Sequence, residues 1–105
     1  MILDINDSSF DTEVLKSVQP VLVDFWGTNC KGCNIVSPVL EKLSERYAGK
    51  FKFCKINVDD NMQSAAKYHI MSKPTLLFFK NGKAMDMAVG AQSETTLKSM
   101  IDDLL

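Results

Sequence analysis

The sequence Cys30-Lys31-Gly32-Cys33 holds the residues best suited to chemistry in this chain. It follows Val21-Leu-Val-Asp-Phe-Trp26, a nearly continuous β-branched and aromatic run that reads as a strand covered on both faces. It opens a stretch with helical periodicity. A helix N-terminus carries unpaired N–H groups and partial positive charge, both of which favour an anion. Thiolate is the reactive form of cysteine, and a free thiol with pKa about 8.5 is only a few per cent ionised at neutral pH. Each unit of pKa lowering is worth ~1.4 kcal/mol and raises that fraction nearly tenfold. Cys30, at the edge of the turn, is expected to be exposed and to attack. Cys33, inside the turn, is expected to be more buried and to displace it. The two-residue spacing brings both sulfurs to one edge of the first helical turn, within reach of a disulfide. The competing readings are a zinc knuckle or two idle core cysteines. Zinc normally takes four ligands, and no second Cys-x-x-Cys exists. Cys54 and His69 fall on other elements without metal-ligand spacing.

The elements that must position this pair alternate along the chain. Ile2–Ile5 reads as a short strand, and Asp7, Ser8 and Ser9 are N-cap candidates for a helix to about Ser17. Ile35, Val36, Val39, Leu40 and Leu43 form one apolar stripe from Cys33 to near Gly49, with Pro38 inside it as an expected kink. Strand patterns follow at Phe51–Val58 and Pro74–Lys80, separated by a short helix over Asn61–Tyr68. Asn81-Gly82 signals a hairpin into a strand over Ala84–Val89. Ser93 caps a last helix with the stripe Leu97, Met100, Ile101 and Leu104. The order β-α-β-α-β-α-β-β-α predicts an α/β fold. Its mixed sheet has about five strands, the first three largely parallel and the last two an antiparallel hairpin, flanked by four helices.

Composition narrows the function classes. The chain has 105 residues, and 46% are hydrophobic, which fits a single domain over residues 1–105. Lys plus Arg number 12 and Asp plus Glu 13, a net charge of −1. Such a chain has no global field to hold nucleic acid or an anionic membrane. No apolar run reaches the roughly 18 residues of a membrane span. The first residues do not read as a secretory signal, and three cysteines make a poor disulfide scaffold. A reducing cytoplasm is the expected compartment.

Several motifs, in order over nearly the whole chain, make the sequence resemble the thioredoxin family. They are Val21-Leu-Val-Asp-Phe-Trp26, Cys30-x-x-Cys33, Pro38-Val-Leu-Glu41, Lys55-Ile-Asn-Val-Asp59, Lys73-Pro-Thr75, Phe79-Lys-Asn-Gly82 and Val89-Gly-Ala91. The resemblance implies a thioredoxin fold with Cys30 as attacking thiolate and Cys33 as resolving thiol. It implies that Asp24 is a buried carboxylate beneath Cys33 with Lys55 near it, and that Pro74 is cis and faces the sulfurs. It implies a substrate groove lined by Trp26, Lys73, Thr75, Val89, Gly90 and Ala91. It also implies disulfide-containing client proteins and a recharging reductase that draws on NADPH or ferredoxin. The family usually has Trp before the first cysteine, Gly-Pro between the two, and an apolar residue before the cis-proline. Here these positions hold Asn29, Lys31-Gly32 and Lys73.

The reaction expected is dithiol–disulfide exchange by a monomer without bound cofactor. Asp24 is the one charged residue in its apolar run. Burial there raises a carboxyl pKa and suits it to act as a base. Lys31 and Lys73, if near Cys30, stabilise its thiolate. Cys54 reads as a small buried hydrophobe, and core filling is expected for at least one of Met71, Met85 and Met87. A partner-specific oxidase or isomerase, or a client-binding module without turnover, is the alternative.

Overall fold

The computed structural model describes residues 1–105. Its five strands are β1 (Leu3–Asp4), β2 (Val21–Trp26), β3 (Lys52–Asn57), β4 (Thr75–Lys80) and β5 (Lys83–Val89). A short π-helix, Asp11–Leu15, precedes three α-helices: α1 (Lys31–Arg46), α2 (Met62–Lys67) and α3 (Glu94–Asp102).

The sheet order is β1-β3-β2-β4-β5. β3 runs parallel to both β1 and β2, whereas β4 runs antiparallel to β2 and β5. The alternation of side chains in β2 then builds two cores. Leu22 faces one side with Val36, Leu40 and Leu43 of α1 and Leu97 and Ile101 of α3. Val21, Val23 and Phe25 face the other, with Phe10, Val14 and Cys54. Such two-sided cover is why the strand lacks a polar face. Asp24 is the exception, and it lies on the α1 side with Leu22.

Element ends depart from the sequence pattern in instructive ways. The first helix is a five-residue π-turned segment rather than a run to Ser17, and Phe10 at its start has no side-chain cap. The Ser9 hydroxyl donates instead to the Asn6 carbonyl, so the expected caps close a turn. Helix α1 runs on through Pro38 and ends at Arg46. Ile35, expected on its apolar stripe, is 56% exposed. Met71, Met85 and Met87 are all exposed, so none fills the core. β5 is the sheet's outer strand, and Met85 and Met87 on it are each more than half exposed. Asn81 and Gly82 both take positive φ, 53° and 77°, as the hairpin requires.

Candidate active site

Strand β2 delivers the chain to the site, and Gly27-Thr28-Asn29 turns it into α1. Asn29 has φ 53°, a left-handed conformation that asparagine tolerates better than most residues. Cys30 is the N-cap of α1, with extended φ and ψ. Its Sγ accepts the Cys33 N–H at 3.1 Å, so sulfur takes the place of the usual capping oxygen. Cys30 and Cys33 form a disulfide with their Cα atoms 5.3 Å apart.

The burial of the two cysteines corrects the sequence reading. Cys30 is 8% exposed and Cys33 7%, so neither sulfur projects from the surface. The reason is the N-cap geometry, which folds the Cys30 side chain back over the helix end. Access to the pair is set by its neighbours rather than by protrusion.

One neighbour is the loop ahead of β4. The Lys73–Pro74 peptide is cis. Pro74 lies against Gly32, where a Cβ would stand 3.1 Å from the proline Cδ. Gly90 N–H donates to the Pro74 carbonyl at 2.8 Å, tying the loop to the end of β5. Val89 is 50% exposed beside it, and Ala91 is exposed. Thr75 does not line an open groove: it is 2% exposed, and its hydroxyl donates to Ser72 O at 2.7 Å.

Beneath the helix end lies a cleft of about 170 Å³, lined by Asp24, Trp26, Cys33, Asn34, Ser37 and Lys55. Asp24 is 6% exposed, and its Oδ1 has no hydrogen-bond partner. Burial drives its pKa up to about 7, partly offset by the charge of Lys55. Trp26 Nε1 is also buried without a partner. Lys55 Nζ lies 5.9 Å from the centre of the Trp26 ring, a cation–π distance. Asn34 and Ser37 escaped the sequence reading. Their signal is the helical spacing from Cys33, which sets i+1 and i+4 around one cleft.

The two rim lysines behave differently. Lys31 is exposed on the first turn of α1. Lys73 Nζ donates to Thr28 O at 3.3 Å and lies 3.9 Å from Asp59 Oδ1. Its ammonium is therefore partnered by the Asp59 carboxylate. Cys54 is 1% exposed, and burial pushes its thiol up to about 11, as fits a small apolar core residue. No group of three or more His, Cys, Asp or Glu side chains is placed to hold a metal ion.

The thioredoxin family model matches residues 1–103. A thioredoxin of Synechocystis sp. is 46% identical over 101 residues, covering 96% of this chain and 94% of its own. Thioredoxin 1 of Nostoc sp. is 47% identical over 98 residues, covering 93% and 92%. The chain belongs to the thioredoxin family. A chloroplastic M-type thioredoxin of Pisum sativum is similar too, at 45% identity over 98 residues, 93% of this chain and 57% of that protein. The five-stranded mixed sheet with four helices is the thioredoxin fold. As a thioredoxin-family member with a Cys30–Cys33 disulfide, the protein is a thiol-disulfide oxidoreductase, a protein-disulfide reductase that works by dithiol–disulfide exchange. The family implies disulfide-containing client proteins and a reductase partner. No helix is long and apolar enough to cross a membrane.

Proposed function

We infer that Cys30 is the attacking sulfur, Cys33 the resolving sulfur and Asp24 the base that serves Cys33. In the reduced protein the Cys30 thiolate attacks one sulfur of a client disulfide. That S–S bond breaks, a mixed disulfide forms on Cys30, and the second client sulfur leaves as thiolate. Cys33 gives its proton to Asp24, directly or through a water in the shared cleft, and attacks the Cys30 sulfur. The mixed disulfide breaks, the client leaves with both sulfurs reduced, and the Cys30–Cys33 disulfide remains. Two electrons from the reductase restore the dithiol.

The observation that carries this reading is the juxtaposition of Cys33 and the unpartnered Asp24 carboxylate on one cleft. A carboxyl with pKa near 7 changes charge in the working range of a cytosolic enzyme. Pro74 and Gly32 bound the path of the client chain, with Trp26, Val89, Gly90 and Ala91 around it. Asn29, Lys31 and Lys73 set its polar rim. That rim, in place of the family's usual residues, supports a narrow set of clients. Residues 1–105 act as one domain and a monomer in the cytoplasm, without bound cofactor, recharged by an NADPH- or ferredoxin-linked reductase. The near-neutral net charge and the sparse cysteines support that setting.

Trapping tests the assignment of roles. A Cys33→Ser variant accumulates clients as mixed disulfides on Cys30, identified by mass spectrometry, and Cys30→Ser accumulates none. Trapping by Cys30→Ser instead of Cys33→Ser reverses the roles.

A further inference from the structure

Three segments far apart in the chain meet beside the disulfide. Gly27 and Thr28 follow β2, Asp59 follows β3, and Lys73 precedes Pro74. Thr28 donates both its N–H and its hydroxyl to Asp59 Oδ2, each at 3.0 Å. Asp59 Oδ1 remains for Lys73 Nζ at 3.9 Å, and the same ammonium donates to Thr28 O at 3.3 Å. The lysine stem crosses Gly27 so closely that a Cβ there would stand 2.5 Å from Lys73 Cδ and 2.8 Å from Nζ. The Thr28 hydrogen bonds, with a smaller contribution from Lys73, hold the Asp59 carboxyl below the usual carboxylate range.

We propose that Lys73 and Asp59 form a clasp over Gly27 that holds the Lys73-Pro74 loop against the turn ahead of Cys30, making Lys73 a positioning residue for client binding. Gly27 is a part of it, because only a residue without Cβ leaves a channel for the stem. The loop is then tied from both sides. Gly90 N–H holds the Pro74 carbonyl, and Asp59 with Thr28 O holds the Lys73 ammonium. A client chain enters a gap whose width these ties set. The clasp acts through Pro74 and the turn, and leaves the sulfurs' own chemistry alone.

The inference rests on exchange at Cys30, and its effect is modest because both charged groups are partly exposed. A surface ion pair changes an equilibrium constant by up to about fivefold.

The test is a double-mutant cycle on insulin reduction with dithiothreitol as reductant. Lys73→Met keeps the stem and removes the charge, and Asp59→Asn keeps a hydrogen-bond acceptor for Thr28. Each raises KM about two- to fivefold with kcat nearly constant, and the double variant raises it no further. Lys73→Arg restores the wild-type value. Gly27→Ala, which displaces the lysine stem, gives the KM of Lys73→Met. Independently of any client, Thr28 amide exchange quickens in Lys73→Met. Additive effects in the double variant, an unchanged KM in Lys73→Met, or unchanged Thr28 exchange overturns the clasp. Failure of the wild-type protein to reduce insulin sinks the exchange reading instead, and Thr28 exchange then decides the clasp alone.

Discussion

Asp24 and Lys55 stand opposite each other on the parallel strands β2 and β3, yet their charges are not joined. Asp24 Oδ1 is buried without a partner, while Lys55 extends its ammonium over the Trp26 ring. Full pairing would anchor Asp24 as a permanent carboxylate. The looser arrangement lets burial dominate, so the proton is held to about pH 7.

This sets a pH dependence with a definite sign. Asp24 has a raised folded-state pKa, about 7 against an ordinary 3.8, so the folded protein binds more protons than the unfolded chain between those values. Its stabilising contribution is full below about pH 4 and is lost as pH rises through about 7. The shift corresponds to a loss on the order of 4 kcal/mol. Urea unfolding of Asp24→Asn between pH 4 and 8 is expected to lack this decline and to give the more stable protein at pH 8. The same variant slows resolution of a mixed disulfide roughly a hundredfold and flattens its rise near pH 7. An equal slope in both proteins would refute the assignment.

Asp7 supplies a second prediction. Its Oδ1 accepts the Ser64 N–H at 2.9 Å and its Oδ2 the Gln63 N–H at 3.3 Å, so it caps α2 from 57 residues away. Asn61, the local N-cap, makes no side-chain capping bond, and its Oδ1 instead accepts the Asp7 N–H at 2.9 Å. Asp7→Ala is expected to cost about 1 kcal/mol, and Asp7→Asn less. Burial is the largest single effect on the Asp7 carboxyl and pushes its pKa up, but the hydrogen bonds from Ser64 and Gln63 together outweigh it and hold the pKa below its ordinary value. Its contribution is therefore present above about pH 4 and fades as the solution is acidified. Thermal melts at pH 7 and pH 3 measure this, and a wild-type melting temperature for Asp7→Ala at pH 7 would contradict it.

Gly82 supplies a third. Its φ is 77°, and a Cβ there would lie 2.9 Å from the Leu15 carbonyl oxygen, which is backbone and has little freedom to withdraw. Gly82→Ala carries both left-handed strain and a clash. It should destabilise by more than about 1 kcal/mol, lowering Tm by roughly 4 °C or more. The Gly49→Ala control has φ 82° and nothing within 4 Å, so it carries the strain alone and loses less. Equal losses would show that the Leu15 contact is immaterial.

The elements read most reliably from the chain were those whose signal is local. Val21–Trp26 shows a strand by composition, Asn81-Gly82 a hairpin by its dihedral demands, and Ser93 a cap whose Oγ accepts the Thr96 N–H at 3.1 Å. The cysteine pair was legible for the same reason: two residues of spacing suffice to bring the sulfurs together. Weaker signals misled where solvent cover decides the outcome. Ile35 obeys the helical period but falls outside the packed stripe, and the β5 methionines look apolar yet lie on the outer strand.

The sequence by itself determined the strand-turn-helix unit, the disulfide-forming spacing and a lone carboxyl in an apolar strand, because neighbours in the chain dictate all three. Tertiary structure alone decided what faces what. It buried Cys30 as deeply as Cys33, gave Lys73 to Asp59, left Asp24 unpaired beside Lys55, and made Asp7 the cap of a helix it precedes by more than 50 residues. Each joins side chains from separate elements, and only packing of the two cores against the sheet brings such groups within hydrogen-bond range.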